Sequence, residues 1–286
     1  MLKGLLLAGV ATIASGFLGV VYEMTGKKRY NIFEFMIYIQ GFGLVFGLGL
    51  TLALRLPLVD SKIFYLACIG SITYLITLTA YLKAARERDI GANWSILHLS
   101  IAVPVIFSLV YFHDRFTIVK GIGLALVLIS VIVIGGRGKR GLGEKVSLSW
   151  VTFIFIAFLM NGWASVIFRF VPKKLAALFT LYFYAITFVS VLTRKIFVRG
   201  WPSSGLMLAG LGGAAAQWLG VMMTILSLDI VSKVNPQAGL IVYPIANGLG
   251  TPVGVLLGAM LLHQHISIRA WFGIACGLAA LLCLTL

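Results

Sequence analysis

The sequence predicts an all-α integral membrane protein with ten transmembrane helices, arranged as two inverted five-helix repeats. Of its 286 residues, 60% are hydrophobic and only 11% are charged, and the mean hydropathy is +1.05. Soluble domains average about 45–50% apolar and about 25% charged residues, so this composition excludes a soluble globular fold. Ten spans of about 21 residues use most of the chain, which leaves no room for a soluble catalytic domain and argues against an enzyme.

Long apolar stretches bounded by charged residues, proline or glycine define the predicted spans. In the first half they are residues 2–24, 31–54, 62–85, 91–112 and 117–135. In the second half they are residues 148–171, 175–197, 204–228, 237–262 and 268–286. The expected organisation is therefore a first repeat, a basic linker and a second repeat, over residues 1–135, 136–147 and 148–286.

Two similar segments, one near the end of each half, indicate the internal repeat. Residues 112–118 read FHDRFTI and residues 262–268 read LHQHISI, and a glycine follows each segment at the same spacing. The span before each segment contains a proline, Pro104 or Pro252. Because each repeat holds five spans, an odd number, the second repeat must be inverted relative to the first. A substrate site is then expected between the halves, near the middle of the membrane.

Two halves of five spans, each closing with such a turn and helix, resemble the drug/metabolite transporter superfamily, EamA type. The turn usual in that family reads small-Glu-Arg/Lys-apolar-Ser/Thr. The segment Asp114-Arg115-Phe116-Thr117 is similar to it, whereas residues 264–267 lack the acid. The resemblance implies transport of small metabolites, often export, without ATP. The family's substrates range from amino acids and sugars to nucleotide sugars and lipid-linked sugars, and its members have both termini in the cytoplasm.

Uncharged polar and aromatic side chains inside the spans are the candidate substrate-binding residues. A polar group in hydrocarbon needs a partner, and a polar cavity supplies partners. The alternative for each polar side chain is a hydrogen bond that only holds two helices together. The candidates are Gln40, Trp94, His98, Asn161, Trp163, Gln217, Trp218, Tyr243 and Asn247.

Charged residues give candidates for gating or charge pairing rather than for substrate binding. The eight acidic residues all lie at span ends or in connections, which disfavours a drug pump that trades its cargo for protons on a central carboxylate. Glu23 and Glu34 flank a basic turn, and the repeat aligns Glu23 with Arg169. The alternatives are solvated ion pairs for the two acids and an arginine that extends to the membrane surface.

Neither a metal nor another cofactor is predicted. The three cysteines lie in apolar stretches, and the His263–His265 pair has no third ligand nearby. The net charge of +15 is scattered over short connections, which favours anionic lipid headgroups over nucleic acid as the partner of the basic residues. Glycines at every fourth position, such as Gly250, Gly254 and Gly258, predict close approach of helix backbones.

The sequence therefore predicts a secondary carrier or facilitator that exports a small polar or amphipathic metabolite by alternating access. Two alternatives stay open: a flippase for a lipid-linked anionic headgroup, and a membrane scaffold without transport activity. The expected location is the prokaryotic cytoplasmic membrane, as a monomer or homodimer. The excess of lysine and arginine on one side favours both termini outside, whereas the family resemblance implies cytoplasmic termini.

Overall fold

The computed structural model describes residues 1–27, 32–85, 90–114, 116–135, 147–196, 205–263 and 268–285, and the regular elements within these ranges are helices. The first half forms α1 (Leu2–Lys27), α2 (Ile32–Ala53), α3 (Ser61–Ala85), α4 (Ile90–Leu99), α5 (Ala102–Tyr111) and α6 (Ile118–Gly135). The second half forms α7 (Leu148–Ile167), α8 (Ala176–Ile196), α9 (Gly205–Ser232), α10 (Ala238–Tyr243), α11 (Gly250–Leu262) and α12 (Ile268–Thr285). Of the predicted basic linker, only Ser147 is among the described residues. The turn at 264–267 also lies outside the described residues.

The described helices include seven candidate membrane spans, counting α10 and α11 together, with mean hydropathies between 1.6 and 2.1. Three shorter apolar helices cover Ile96–Tyr111, Ile118–Val133 and Ile268–Leu284. Large apolar side chains face outward on these helices, among them Leu208, which is 82% exposed. A helix satisfies its own backbone hydrogen bonds, as a lipid-exposed segment must. The chain is therefore a multi-pass α-helical membrane protein, and the count of ten spans stays a prediction.

Two of the predicted spans are interrupted, each at a comparable distance before a proline. The span predicted over 91–112 divides into α4 and α5 around Ser100, and the carbonyl of Ser100 accepts a bond from the Val103 amide at 3.0 Å. Pro104 has no N–H with which to continue the regular ladder to Ser100. In the second half, a π-helical segment, Pro244–Gly248, separates α10 from α11, and Pro252 stands four residues after Gly248.

Helices of the first half pack mainly against helices of the second half. The main contacts are those of α1 with α9 and α11, α2 with α8 and α9, α3 with α7 and α8, and α6 with α12. A Cβ atom added to Gly16 would lie 2.8 Å from the backbone nitrogen of Gly254, and one added to Gly47 would lie 2.9 Å from Leu181 Cα. These contacts confirm the predicted close approach of backbones at Gly254, and Gly16 and Gly47 approach neighbouring backbones in the same way.

Candidate functional site

A cavity of about 180 Å³ lies between the two halves. Its walls come from α1, α3 and α4 in the first half and from α7, α8, α9 and the π-helical segment in the second. A single buried water needs about 10–15 Å³, so the cavity has room for several waters or for a small polar group. Its polar lining residues are Ser15, Tyr22, Tyr74, Thr77, Tyr81, His98, Ser100, Asn161, Ser165, Gln217, Thr224 and Asn247.

Four of the predicted substrate-binding residues line this cavity: His98, Asn161, Gln217 and Asn247. The His98 ring nitrogen Nδ1 lies 2.7 Å from the backbone oxygen of Asn247, to which it donates a hydrogen bond. Asn161 Nδ2 donates to Ser100 Oγ at 2.7 Å. These bonds connect the interruption between α4 and α5 to α7 and to the π-helical segment, so they fix the shape of the cavity wall.

Two atoms of the cavity wall have unmet hydrogen-bonding capacity. Gln217 Oε1 and Asn247 Nδ2 are buried and have no hydrogen-bond partner among the described residues. Leaving a buried polar group unpaired costs about 1–3 kcal/mol, so such atoms mark positions where a ligand or water binds. The Gln217 oxygen accepts and the Asn247 nitrogen donates. Together they suit a group that both donates and accepts, such as a hydroxyl.

Gln40 lies one layer behind the cavity wall. Its side chain is fully buried, its Nε2 donates to Tyr74 Oη at 3.2 Å, and its Oε1 accepts a bond from Thr187 Oγ1 at 2.8 Å. Since Tyr74 lines the cavity, Gln40 positions a wall residue and does not itself line the cavity.

Three of the predicted aromatic residues, Trp163, Trp218 and Tyr243, do not line the cavity. Trp163 is 44% exposed and packs edge-on against Phe107, with ring centroids 5.5 Å apart. Trp218 packs against Phe46, and Tyr243 is buried in an apolar cluster of the bundle. The side chain of Trp94 lies outside the described part of the chain.

Arg169 forms a buried ion pair across the boundary between the halves. Its Nη1 and Nη2 atoms lie 3.3 Å from Asp114 Oδ2 and Oδ1, and its guanidinium lies 4.2 Å from the centre of the Phe112 ring. The Gly239 amide also donates to Asp114 Oδ2, at 3.1 Å. The Asp114 side chain is fully buried and that of Arg169 is 10% exposed. The cluster joins the turn after α5 to the end of α7 and the beginning of α10.

The partner of Arg169 was not evident from the sequence, where the repeat aligned it with Glu23. The Glu23 side chain lies outside the described part of the chain. Glu34 lies in the first turn of α2, where the helix dipole favours a carboxylate. An arginine at the end of an apolar span needs a nearby acid. The sequence signal that could have identified this acid was the turn at Asp114, which the repeat had already singled out.

Tyrosines and small hydroxyl residues of the cavity were also missed. Tyr74, Thr77 and Tyr81 lie at helical spacing on one face of α3, and Ser15 and Tyr22 do so on α1. A polar stripe of this period in an apolar helix is the signal that identifies them.

No family model matches this chain. The chain is 32% identical over 89 residues to a probable 4-amino-4-deoxy-L-arabinose-phosphoundecaprenol flippase subunit, ArnF, of Pseudomonas fluorescens strain Pf0-1. That match covers 30% of this chain and 66% of the relative. The corresponding protein of strain Pf-5 is 35% identical over 66 residues, which cover 22% of this chain and 48% of that protein. The matches thus span less than two thirds of either relative.

One solved crystal structure has the same fold over nearly the whole chain. It superposes with a TM-score of 0.74 at 17% sequence identity, covering 99% of this chain and 98% of its own. The architecture described above is therefore shared with an experimentally determined protein.

Proposed function

We propose that this chain is a ten-span transporter of the drug/metabolite type that moves a lipid-linked polar headgroup across the membrane. The observation that carries the proposal is the cavity between the halves, whose wall holds Gln217 Oε1 and Asn247 Nδ2, two atoms without a hydrogen-bond partner in the described part of the chain. The similarity to flippase subunits supports a lipid-linked cargo. In this proposal the polar side chains of the cavity replace the hydrogen bonds to water that a polar headgroup loses when it enters the hydrocarbon layer.

The proposed transporter consists of two inverted repeats, residues 1–135 and 148–286. Two helix pairings support this division: α1 packs on α9, and α3 packs on α7. The first pairing joins the first span of the first half to the third span of the second half. The other pairing joins the third span of the first half to the first span of the second half, so exchanging the halves turns one pairing into the other. The interruptions before Pro104 and Pro252 occupy corresponding spans. The first relative is about half as long as this chain and is named a subunit. One chain with two such units forms a complete cavity as a monomer.

The buried ion pair is the proposed gate on one side of the cavity. Asp114 belongs to the first half and Arg169 to the second, so rocking the halves apart on that side must separate the carboxylate from the guanidinium. Phe168, the neighbour of Arg169, lines the cavity, which supports a gate next to the proposed transport path. Because the repeats are proposed to be inverted, Glu23 and Glu34 belong to the gate at the opposite membrane face.

The proposal is tested by lipid-headgroup flipping in proteoliposomes, with a fluorescent undecaprenyl-phosphate-linked sugar as the probe. Replacing both Gln217 and Asn247 by leucine removes the unpartnered acceptor and donor, and we expect the flipping rate to fall by about tenfold or more. Trp163→Phe, a change on the lipid-facing surface, is the matched control and should keep the wild-type rate. Equal rates in the double variant and the control would refute the proposed site.

A second candidate function is the carrier of a small water-soluble metabolite. The cavity volume favours it, since a small solute fits entirely within 180 Å³. In that case free metabolites would raise the melting temperature of the purified protein, because a ligand that binds the folded state stabilises it. Flux of the free metabolite without flipping of the lipid-linked probe would identify this function. A scaffold without transport activity would show neither.

In each case we expect the protein to reside in a bacterial cytoplasmic membrane among anionic lipids.

A further inference from the structure

A second cavity opens on the lipid-facing side of the contact between α3 and α7. It is a groove of about 360 Å³. Its floor and walls are Leu75, Ile76, Thr79 and Ala80 of α3 with Phe153 and Ile156 of α7. Lys83 stands at one end. Ile76 is 41% exposed within a membrane-spanning helix, so this groove faces hydrocarbon.

Helix α3 is the common wall of this groove and the central cavity. Tyr74, Thr77 and Tyr81 point into the central cavity, while Ile76 and Thr79 point into the groove. One helix with its side chains is about 10–12 Å thick. A lipid bound in the groove therefore lies about one helix diameter from the central cavity.

The groove also has the charge distribution of a lipid-binding site. Lys83 lies two residues beyond the candidate span Ser61–Tyr81, and a lysine at such a position extends its ammonium toward the lipid phosphates. Its ammonium is 4.7 Å from the centre of the Phe153 ring. From Lys83 the apolar floor extends back to Leu75, a distance of about 12 Å along the helix. A phosphate at Lys83 would thus have an apolar path for its hydrocarbon chain within the membrane.

We propose that this groove binds the phosphate and the first part of the isoprenoid chain of the lipid-linked cargo before its headgroup enters the central cavity. This inference rests on the proposed lipid-linked cargo. Lys83 supplies a charge-assisted hydrogen bond to the phosphate, and the floor of the groove buries apolar chain surface. The occupant is the cargo's own chain and not a bulk phospholipid, because the cargo must dock within reach of the central cavity and the groove lies one helix away from it.

The test measures retention of undecaprenyl phosphate and of phosphatidylglycerol by the protein in nanodiscs, using native mass spectrometry. We expect Lys83→Gln and Ile76→Trp each to weaken undecaprenyl phosphate retention by about tenfold, with phosphatidylglycerol retention unchanged. Lys83→Arg should preserve retention. Lys62→Gln, an exposed lysine at the other end of α3, is the matched control. Wild-type retention in both groove variants, or equal loss of the two lipids, would overturn the inference.

A parallel flipping assay separates this inference from the proposed function. If Lys83→Gln flips the probe at the wild-type rate, binding of the cargo in the groove is refuted and the central cavity remains the proposed transport site. The wild-type protein could instead retain undecaprenyl phosphate through Lys83 and yet not flip the probe. That result would support lipid binding in the groove and refute the proposed transport.

Discussion

The Asp114 carboxylate and the Arg169 guanidinium face each other in a two-point ion pair, with both N–O distances at 3.3 Å. The two residues belong to different halves of the chain, and their side chains are almost entirely removed from the surface. A buried pair of this kind is costly to break, because the remaining partner is left as an uncompensated buried charge. This property makes the pair suitable as a gate that holds one side of the cavity closed.

The first prediction concerns the strength of this pair. Asp114→Asn or Arg169→Gln should each lower the free energy of unfolding by about 3–5 kcal/mol, and the double variant should lose less than the sum. Unfolding in detergent, followed by circular dichroism, gives these values. The exposed pair Lys233–Asp229, 2.6 Å long, is the control: Lys233→Gln should cost less than about 1 kcal/mol. Strictly additive losses would show that the two side chains do not interact.

The second prediction concerns the packing around the pair. A Cβ atom at Gly239 would overlap Ser108 Oγ and lie 2.8 Å from Arg169 Nη1. Gly239→Ala should therefore destabilise the protein, and Ser108→Gly should partly restore it by removing the obstructing side chain. The melting temperature of the purified protein measures both effects. Gly49, whose added Cβ would meet no atom within 4 Å, is the control, and Gly49→Ala should not lower the melting temperature.

The third prediction concerns the hydrogen bond from His98 to the π-helical segment. His98→Leu leaves the Asn247 carbonyl without this donor, which should cost about 1–3 kcal/mol and should also slow flipping because Asn247 is no longer held in place. His98→Gln can still donate to the carbonyl and should keep more of both properties. Thermal unfolding and the flipping rate are the two measurements. If the leucine and glutamine variants behave alike, the hydrogen bond does not position the segment.

The amides of the cavity were easier to predict from the sequence than its aromatic walls. An amide in hydrocarbon must turn inward to find partners, and Asn161, Gln217 and Asn247 do so. An indole or phenol has a weaker requirement, since most of its surface is a ring that is stable against lipid and only one N–H or O–H needs a partner. The sequence therefore could not tell that Trp163 faces outward while Tyr74 and Tyr81 face the cavity.

Features that depend on two distant segments were the hardest to foresee. Pro104 and Pro252 marked corresponding spans of the repeat, but they did not indicate that one interruption becomes a π-helical segment whose carbonyl meets His98. The Arg169–Asp114 pair depends on how the end of α7 packs on the turn after α5. Spacing within a helix carries no information about such contacts, so only the packed bundle reveals them.

The last prediction concerns selection among headgroups. Gln217 presents an uncharged acceptor to the cavity, whereas the cargo named for the two relatives carries an amino group. Gln217→Glu places a carboxylate at the same position, which stabilises a protonated amine much more than a hydroxyl. The variant should therefore shift the preference for 4-amino-4-deoxy-L-arabinose over L-arabinose, each linked to undecaprenyl phosphate, by about tenfold or more. Competitive flipping assays in proteoliposomes measure this ratio. Gln217→Leu should slow both cargoes equally, and an unchanged ratio in Gln217→Glu would remove Gln217 from contact with the headgroup.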